Sequence, residues 1–489
     1  MTSYLYELPT TGAISFADAC VDATATYTVD IADTTEARAN LRAILKESKR
    51  TDNGEKDYLK LVKTLDEYIP KLCGLLGCIS NGEISLKSEP VFSWRTTLSS
   101  TLFHNSPRLS LPTFSTELIF TLLTYAFALS NLARAVVYSL GRYETERAIS
   151  DTERKAKDER LAFAVTLLCK AAGLYEYIGK ECIAEWDKER ERVLSLGMSC
   201  PRPPDLSREV VIGLSKMALA DAQNLAIRKL LSKAAFESTL TPGPPLPKPH
   251  PSPALVAKLH LECASLYSSA RSLVKTPGAS RSSSKSKLKV PFGKDRSTPA
   301  EETGEEVAPE LRRYLADEHA LHAALAYKWL GVDAGEHGGT NKCGVAVGFL
   351  AWARKELEEL KSGHGPGGMI GGEREKEMRE RRKARVHEEL ESTSTFLVGY
   401  KKMNDTMSFQ PVPPQSDLQA TIPAGIPVAV VKPFTKPTPA FGPGSVEYIR
   451  REAEALELLN ADSLADGAAS PASPGGGTSK SYAGAEAYY

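Results

Sequence analysis

The sequence predicts an all-α protein. Three observations carry this: long stretches with apolar residues at helical spacing, small-residue surfaces within them, and proline-rich stops between them. Pro203–Leu231 is the clearest stretch. Leu206, Val210, Leu214, Met217 and Leu225 fall on one face. Ala218, Ala220, Ala222 and Ala226 are small enough for a second helix to come close, and Gln223 and Asn224 interrupt that surface with amides. Pro203 and Pro204 open the segment. Asp205 or Ser207 is expected to accept from the first free backbone N–H groups, and Glu209 suits the positive helix end.

The other elements follow in order. Residues 1–30 read as an extended or mixed segment. Thr34–Gly54 is an amphipathic helix with Leu41, Ile44 and Leu45, and Lys56–Leu76 is a second, in which Pro70 is expected to kink or break the run. Leu86–Pro112 is irregular or weakly extended. Four strong helices are expected at Ser115–Tyr138, Arg142–Ile178 with a continuation, Ser207–Ala235 and Ser252–Val274. Thr241–Pro253 holds seven prolines in thirteen residues, an extended stop. Residues 276–308, rich in Ser, Lys and Gly, bury too little apolar area to offset ordering and are expected to be disordered. Pro309–Leu330 and Cys343–Lys361 form a helical hairpin. A Gly-rich turn, His364–Gly372, leads to a charged helix at Glu373–Leu397. From Pro411 to about Pro443 the chain is Pro-rich and extended. A short helix follows at Val446–Asn460, then a mobile Gly/Ser/Ala tail.

Composition narrows the function classes. The 489 residues are 42% apolar and 25% charged, enough for a large core, with a formal net charge of zero. Nothing global favours nucleic acid or an anionic membrane. The eight cysteines are scattered, and the spacing of Cys73 and Cys78 is poor for zinc, so reduced thiols are expected. No signal peptide is visible. No apolar run reaches the roughly 18–20 residues of a membrane span; Leu118–Leu140 comes nearest and carries polar side chains. The Asn404-Asp405-Thr406 sequon is accordingly expected to stay unused.

No enzymatic constellation and no cofactor site emerges. The Gly-rich run at 364–373 lacks the Gly-Lys-Ser/Thr ending of a phosphate loop. His387-Glu388-Glu389 has no second His at residue 391. His319 and His322, beside Glu318, lack a third metal ligand. The basic run Arg281, Lys285, Lys287, Lys289, Lys294 and Arg296 could touch anionic lipid headgroups, and is otherwise a solvated loop.

Taken as a motif, Pro-Asp-Leu-Ser at residues 204–207 followed by Leu-Ser-Lys-Met-Ala-Leu-Ala-Asp-Ala-Gln at residues 214–223 resembles the core helix of the Bro domain, the module of the Alix and Bro scaffold proteins. Further similarities follow the family's order. They are Leu8–Phe16 (LPTTGAISF), Ala162–Ile178 with its Ala-Ala-Gly, the hairpin Leu325–Leu360, and Asn404–Pro413 (NDTMSFQPVP). In the last, Met407–Gln410 departs from the family's Ile-Tyr-His. The Leu-Pro-Thr-Thr start, Phe92–Arg108, Leu118–Tyr138 and the length resemble the fungal pH-response branch of that family.

The resemblance implies an elongated, boomerang-shaped helical solenoid with tetratricopeptide-like core helices and a small N-terminal β element. The Bro domain would span residues 1–435, with a flexible tail at 436–489. It implies a non-enzymatic adaptor in fungal ambient (alkaline) pH signalling, cytoplasmic and recruited to plasma-membrane or endosomal sites. Its partner would be the C-terminal amphipathic helix of the ESCRT-III filament subunit, held in a groove on the convex face. There it would help assemble the complex that processes a pH-responsive transcription factor. The groove residues carried over are Leu225, Ala226, Ile227 and Lys229 on one helix, Leu255 and Leu259 on the next, and Asp158 at the rim. Ala226 stands where the family has an aromatic, and Ala162 where it has a Lys. An endosomal cargo-sorting scaffold of the Bro/Alix type is the alternative; it would use the same groove.

Overall fold

A computed structural model describes residues 3–51, 56–100, 106–147, 149–275, 307–362 and 373–466. The Ser/Lys-rich insertion over residues 276–306, with its basic run, the Gly-rich turn at 364–372 and the tail from residue 467 lie outside the described residues.

The fold is all-α. After α1 (Phe16–Ala19), the helices are α2 (Thr28–Arg50), α3 (Tyr58–Ser80), α4 (Phe114–Leu140), α5 (Asp151–Tyr177), α6 (Ile183–Ser195), α7 (Arg208–Leu240), α8 (Pro253–Val274), α9 (Pro309–His337), α10 (Cys343–Ser362), α11 (Glu373–Met403), α12 (Gln415–Ala420) and α13 (Val446–Asp466). Apart from α6, which continues α5 through a widened turn at Ile178–Cys182, the long helices from α2 to α11 pack each on the next in chain order. One continuous core runs through them.

Several boundaries differ from expectation for physical reasons. Pro70 sits inside α3 without ending it; the helix packs on α2 and α4, and the Pro70 carbonyl accepts the Ala440 N–H at 3.0 Å. The helix expected from Arg142 starts at Asp151, where Ser150 and Glu153 form a reciprocal capping box. Leu86–Pro112 contains a hairpin, β3 (Val91–Arg95) antiparallel to β4 (Arg108–Pro112), and β1 (Cys20–Val21) pairs with β2 (Ser85–Leu86). At the end of the insertion, Ala308 N–H donates to the Leu98 carbonyl at 2.8 Å. Three helical stretches, 114–145, 151–195 and 208–240, are long and apolar enough to cross a membrane by length and composition. In the fold their most apolar windows are 78%, 61% and 83% buried, so core packing accounts for that apolarity.

A buried ion pair ties the N-terminal elements together. Arg38 of α2 donates to both Glu117 oxygens of α4 at 2.8 and 3.0 Å. Tyr68 and Trp94 donate to the same carboxylate, and Arg38 also reaches Gly12 O and Thr11 Oγ1. Such a pair is tolerable in the interior because its remaining hydrogen-bonding capacity is used.

After α11 the chain turns back through α12, a short helix inside the stretch expected to be extended, and then crosses the helices in reverse order as an extended strap. Leu418 packs with Phe349 and Trp352 of α10. Ile426 N–H donates to Lys258 O of α8, Lys432 N–H to Cys169 O of α5, and Ala440 N–H to Pro70 O of α3. A side chain at Gly173 would run into the Lys432 carbonyl, and one at Gly74 into Phe441, so two glycines let the strap lie against α5 and α3. Packing continues past residue 435 through the buried Phe441 and Ser445.

Candidate functional site

The site is built where α7 emerges from the core. From Val210 to Leu225 nearly every side chain is buried, because α5, α8 and the strap all pack on it. The start of α7 is not capped as expected. Asp205 accepts the Thr97 and Leu98 N–H groups at 2.9 and 3.2 Å, and the Ser207 hydroxyl bonds Glu209. Asp205 therefore anchors the chain after β3 to the root of α7.

Gln223 organises the outer face. Its amide nitrogen donates to Leu259 O (3.3 Å) and Ile426 O (2.7 Å). Its oxygen accepts from Val428 N–H (2.8 Å) and Ala429 N–H (3.0 Å). One side chain thus satisfies backbone groups on α8 and on the strap, where a buried orphan would be costly.

One turn beyond Gln223, apolar side chains reach the surface along the seam between α7 and α8, a strip termed the trough below. Its components are half-buried Ala226 and exposed Leu230 (36%) on α7, and Leu255 (37%) on α8. The antiparallel register fixed by the Gln223–Leu259 bond brings Leu255 opposite Ala226. The strap forms one end. Ile426, Val428 and Val430 are exposed while Ala429 turns in. Lys229 and Lys233 are exposed on α7, and Lys258 is half-buried on α8.

The sequence-derived residues divide. Ala226, Lys229 and Leu255 reach the trough surface. Leu225, Ile227 and Leu259 (3% exposed) are sealed in the core. Leu259 is closed off because the strap crosses α8 at Lys258 and Glu262, the turn that carries it. Half-buried Asp158 accepts the Tyr143 hydroxyl at 2.5 Å, holding the turn between α4 and α5. Sequence reading missed Leu230, one turn past Ala226, and the exposed apolar residues of the strap. Their signals were the i, i+4 spacing and the Ile-Pro-Val-Ala-Val pattern at residues 426–430.

Beneath the trough lies a polar interior. Asp221 accepts the hydroxyls of Tyr267 (2.5 Å) and Tyr314 (2.6 Å), and burial pushes its carboxyl up to about 7. The Nδ1 atoms of His260 and His322 share a hydrogen bond of 2.9 Å. Burial lowers both imidazoles, His260 to about 3, so both are neutral near pH 7. Burial likewise raises the Cys263 thiol, leaving it a poor nucleophile. All eight cysteines are buried and free, and no three His, Cys, Asp or Glu side chains gather to hold a metal among the described residues.

A separate cleft of about 620 Å³ lies between the C-terminal half of α7 and α11. Its Arg142 pairs with Glu388, Arg228 with Glu144, Arg381 with Glu377, and Arg385 with Glu318. These pairs leave little net charge to select an ion.

Residues 20–443 match the BRO1-like domain family. The pH-response regulator protein palC of Cryptococcus neoformans var. neoformans serotype D is 37% identical over 476 residues, 92% of this chain and 95% of that protein. The palC protein of Yarrowia lipolytica is 25% identical over 472 residues, 89% of this chain and 94% of that protein. Among solved structures, the ALIX BRO1 domain in complex with CHMP4C superposes with a TM-score of 0.53 at 17% identity, covering 90% of this chain and 98% of that one. ALIX in complex with the SIVmac239 PYKEVTEDL late domain gives 0.55 at 17% identity, covering 96% and 56%. At such identities the structures speak for the fold.

Proposed function

The chain belongs to the BRO1-like domain family, and from that premise we propose a non-catalytic adaptor of alkaline-pH signalling whose α7–α8 trough takes the C-terminal amphipathic helix of the ESCRT-III filament subunit. The observation that carries this reading is the pair Leu230 and Leu255, each over a third exposed beside the small Ala226. An amphipathic helix would lay its apolar stripe there, with acidic side chains toward Lys229 and Lys233. The similarity to fungal pH-response regulators supports the pathway, and the CHMP4C complex of an ALIX domain with the same fold supports the partner class.

The energetics suit a weak, regulated contact. Covering what remains exposed of Leu230, Leu255, Ile426 and Val428 contributes on the order of 3–4 kcal/mol. A micromolar affinity needs about 8 kcal/mol, so polar contacts at the rim must supply the rest. Ala226 contributes a floor where an aromatic would contribute a wall. In this reading the adaptor works at plasma-membrane or endosomal sites, where it helps assemble the complex that processes a pH-responsive transcription factor.

Titration calorimetry of the full chain with the ESCRT-III C-terminal helix tests this. Leu255→Asp abolishes binding while the circular dichroism and melting temperature stay near wild type. Unchanged binding in that folded variant rejects the trough. Loss of growth at alkaline pH with normal endosomal cargo sorting in a strain carrying Leu255→Asp separates signalling from a sorting role.

A further inference from the structure

A second apolar surface lies at the far end of the strap. Helix α13 is rooted on the body by its first turn. Ser445 caps it, and the Tyr448 hydroxyl donates to Glu83 at 3.0 Å. Val446, Ile449, Ala453 and Leu456 fall within a stripe about 80° wide at helical spacing. That stripe is turned away from Tyr448, and Ile449 and Leu456 are 56% and 61% exposed. Arg450 lies between Glu447 and Glu454 of its own helix. Glu452 and Glu457 flank the stripe on either side. Through residue 458, α13 carries four Glu and two Arg.

The stripe and the trough are complementary. One is a narrow apolar ridge with acidic flanks. The other is an apolar strip, Ala226, Leu230 and Leu255, with Lys229 and Lys233 beside it. Within one chain α13 is rooted beside the end of α3, and α4 and α5 lie between α3 and α7 in the packing order. The strap spends residues 429 to 440 travelling from Gln223 on α7 to Pro70 on α3, up to roughly 40 Å of extended chain.

We propose that α13 of one copy seats in the α7–α8 trough of a second copy, so that the chain associates head to tail and α13 competes there with the incoming partner helix. The inference rests on the trough being a helix-binding surface. Because the two contacting surfaces differ, the association is heterologous and need not close at a dimer. Its consequence is regulatory: a partner helix displaces a neighbour's α13 and breaks the assembly apart.

Sedimentation of the full chain over a range of concentrations tests this with two double variants at exposed positions. One is Ile449→Asp with Leu456→Asp, which spoils the helix. The other is Leu230→Asp with Leu255→Asp, which spoils the trough. The wild type should rise in mean mass with concentration, and each variant alone should remain a single chain. An equimolar mixture should form a capped one-to-one dimer, because each variant retains the surface that the other lacks. A wild type that stays a single chain, an α13 variant that still assembles, or a mixture that fails to pair while both variants keep wild-type circular dichroism overturns the proposal. Titration with the ESCRT-III helix separates the two ideas. The α13 variant should bind it at least as tightly as wild type. If the trough variant loses that helix and the wild type never self-associates, the self-association fails and the adaptor reading stands.

Discussion

Leu255 and Leu259 sit one turn apart on α8 and do different jobs. Leu259 is 3% exposed, under the turn where the strap crosses at Lys258 and Glu262. Leu255 is 37% exposed, just beyond the strap's edge. The same contrast runs along α7, where Leu225 and Ile227 belong to the core while Ala226 and Leu230 reach the surface. Two leucines four residues apart point within about 40° of each other, so helical phase alone does not separate them. A segment from some 160 residues later in the chain decides which one is covered.

The sharpest way to break that comparison is to truncate both leucines. Leu259→Ala should cost about 2–5 kcal/mol, as a cavity opens under the strap. Leu255→Ala, which removes a side chain that is already over a third exposed, should cost about 1–2 kcal/mol. Denaturant unfolding checks both, and equal costs would mean that the two sites share one environment.

The inner face also predicts a pH dependence. Asp221 has its carboxyl raised to about 7 by burial, so the folded state holds a proton that the unfolded chain releases near 3.8. The stability this contributes is fully present below 3.8 and lost as pH rises through about 7, with a slope of up to about 1.4 kcal/mol per pH unit. The buried His260 acts in the opposite sense. Its lowered value gives stability present above about 6.5 that is lost as pH falls toward about 3. Subtracting the unfolding free energy of Asp221→Asn from that of wild type at each pH isolates the carboxyl. The difference should decline between pH 4 and 7, and a flat difference would place Asp221 in a more polar setting.

Gln223 sits between the two faces. Gln223→Ala strands the N–H groups of Val428 and Ala429 and the carbonyl of Ile426, and should cost about 1–3 kcal/mol. Amide exchange should accelerate at residues 428 and 429, with a smaller effect at Lys432, which α5 holds independently. Uniform acceleration along the strap would show that it moves as one piece.

Much of this architecture was legible in the sequence, and the misses share a cause. The 3.6-residue periodicity located the long helices because each buries one continuous face on its neighbour. The proline-rich stretch after Pro411 is extended only beyond Thr421; Gln415–Ala420 forms a short helix that local reading missed, its Leu418 packed on Phe349 and Trp352 of α10. Local rules failed where a distant partner intervened. Asp205 looks like a helix cap and instead holds Thr97 and Leu98. Pro70 looks like a break and lies within a helix packed on both sides. The trough was half legible. Ala226, Lys229 and Leu255 were found through the family resemblance, while the sealing of Leu259 depends on where the strap crosses, which no local pattern encodes.

The central claim is that the uncovered stretch of α7 and α8, and not the sealed one, receives a partner helix. The most direct measurement is the affinity of the ESCRT-III C-terminal helix for Leu255→Asp set beside that for Leu259→Met, a volume-conserving change in the core. The account predicts that Leu255→Asp loses binding by more than about a hundredfold, roughly 2.7 kcal/mol, and that Leu259→Met binds like wild type. Equal affinities for wild type and a folded Leu255→Asp would contradict it.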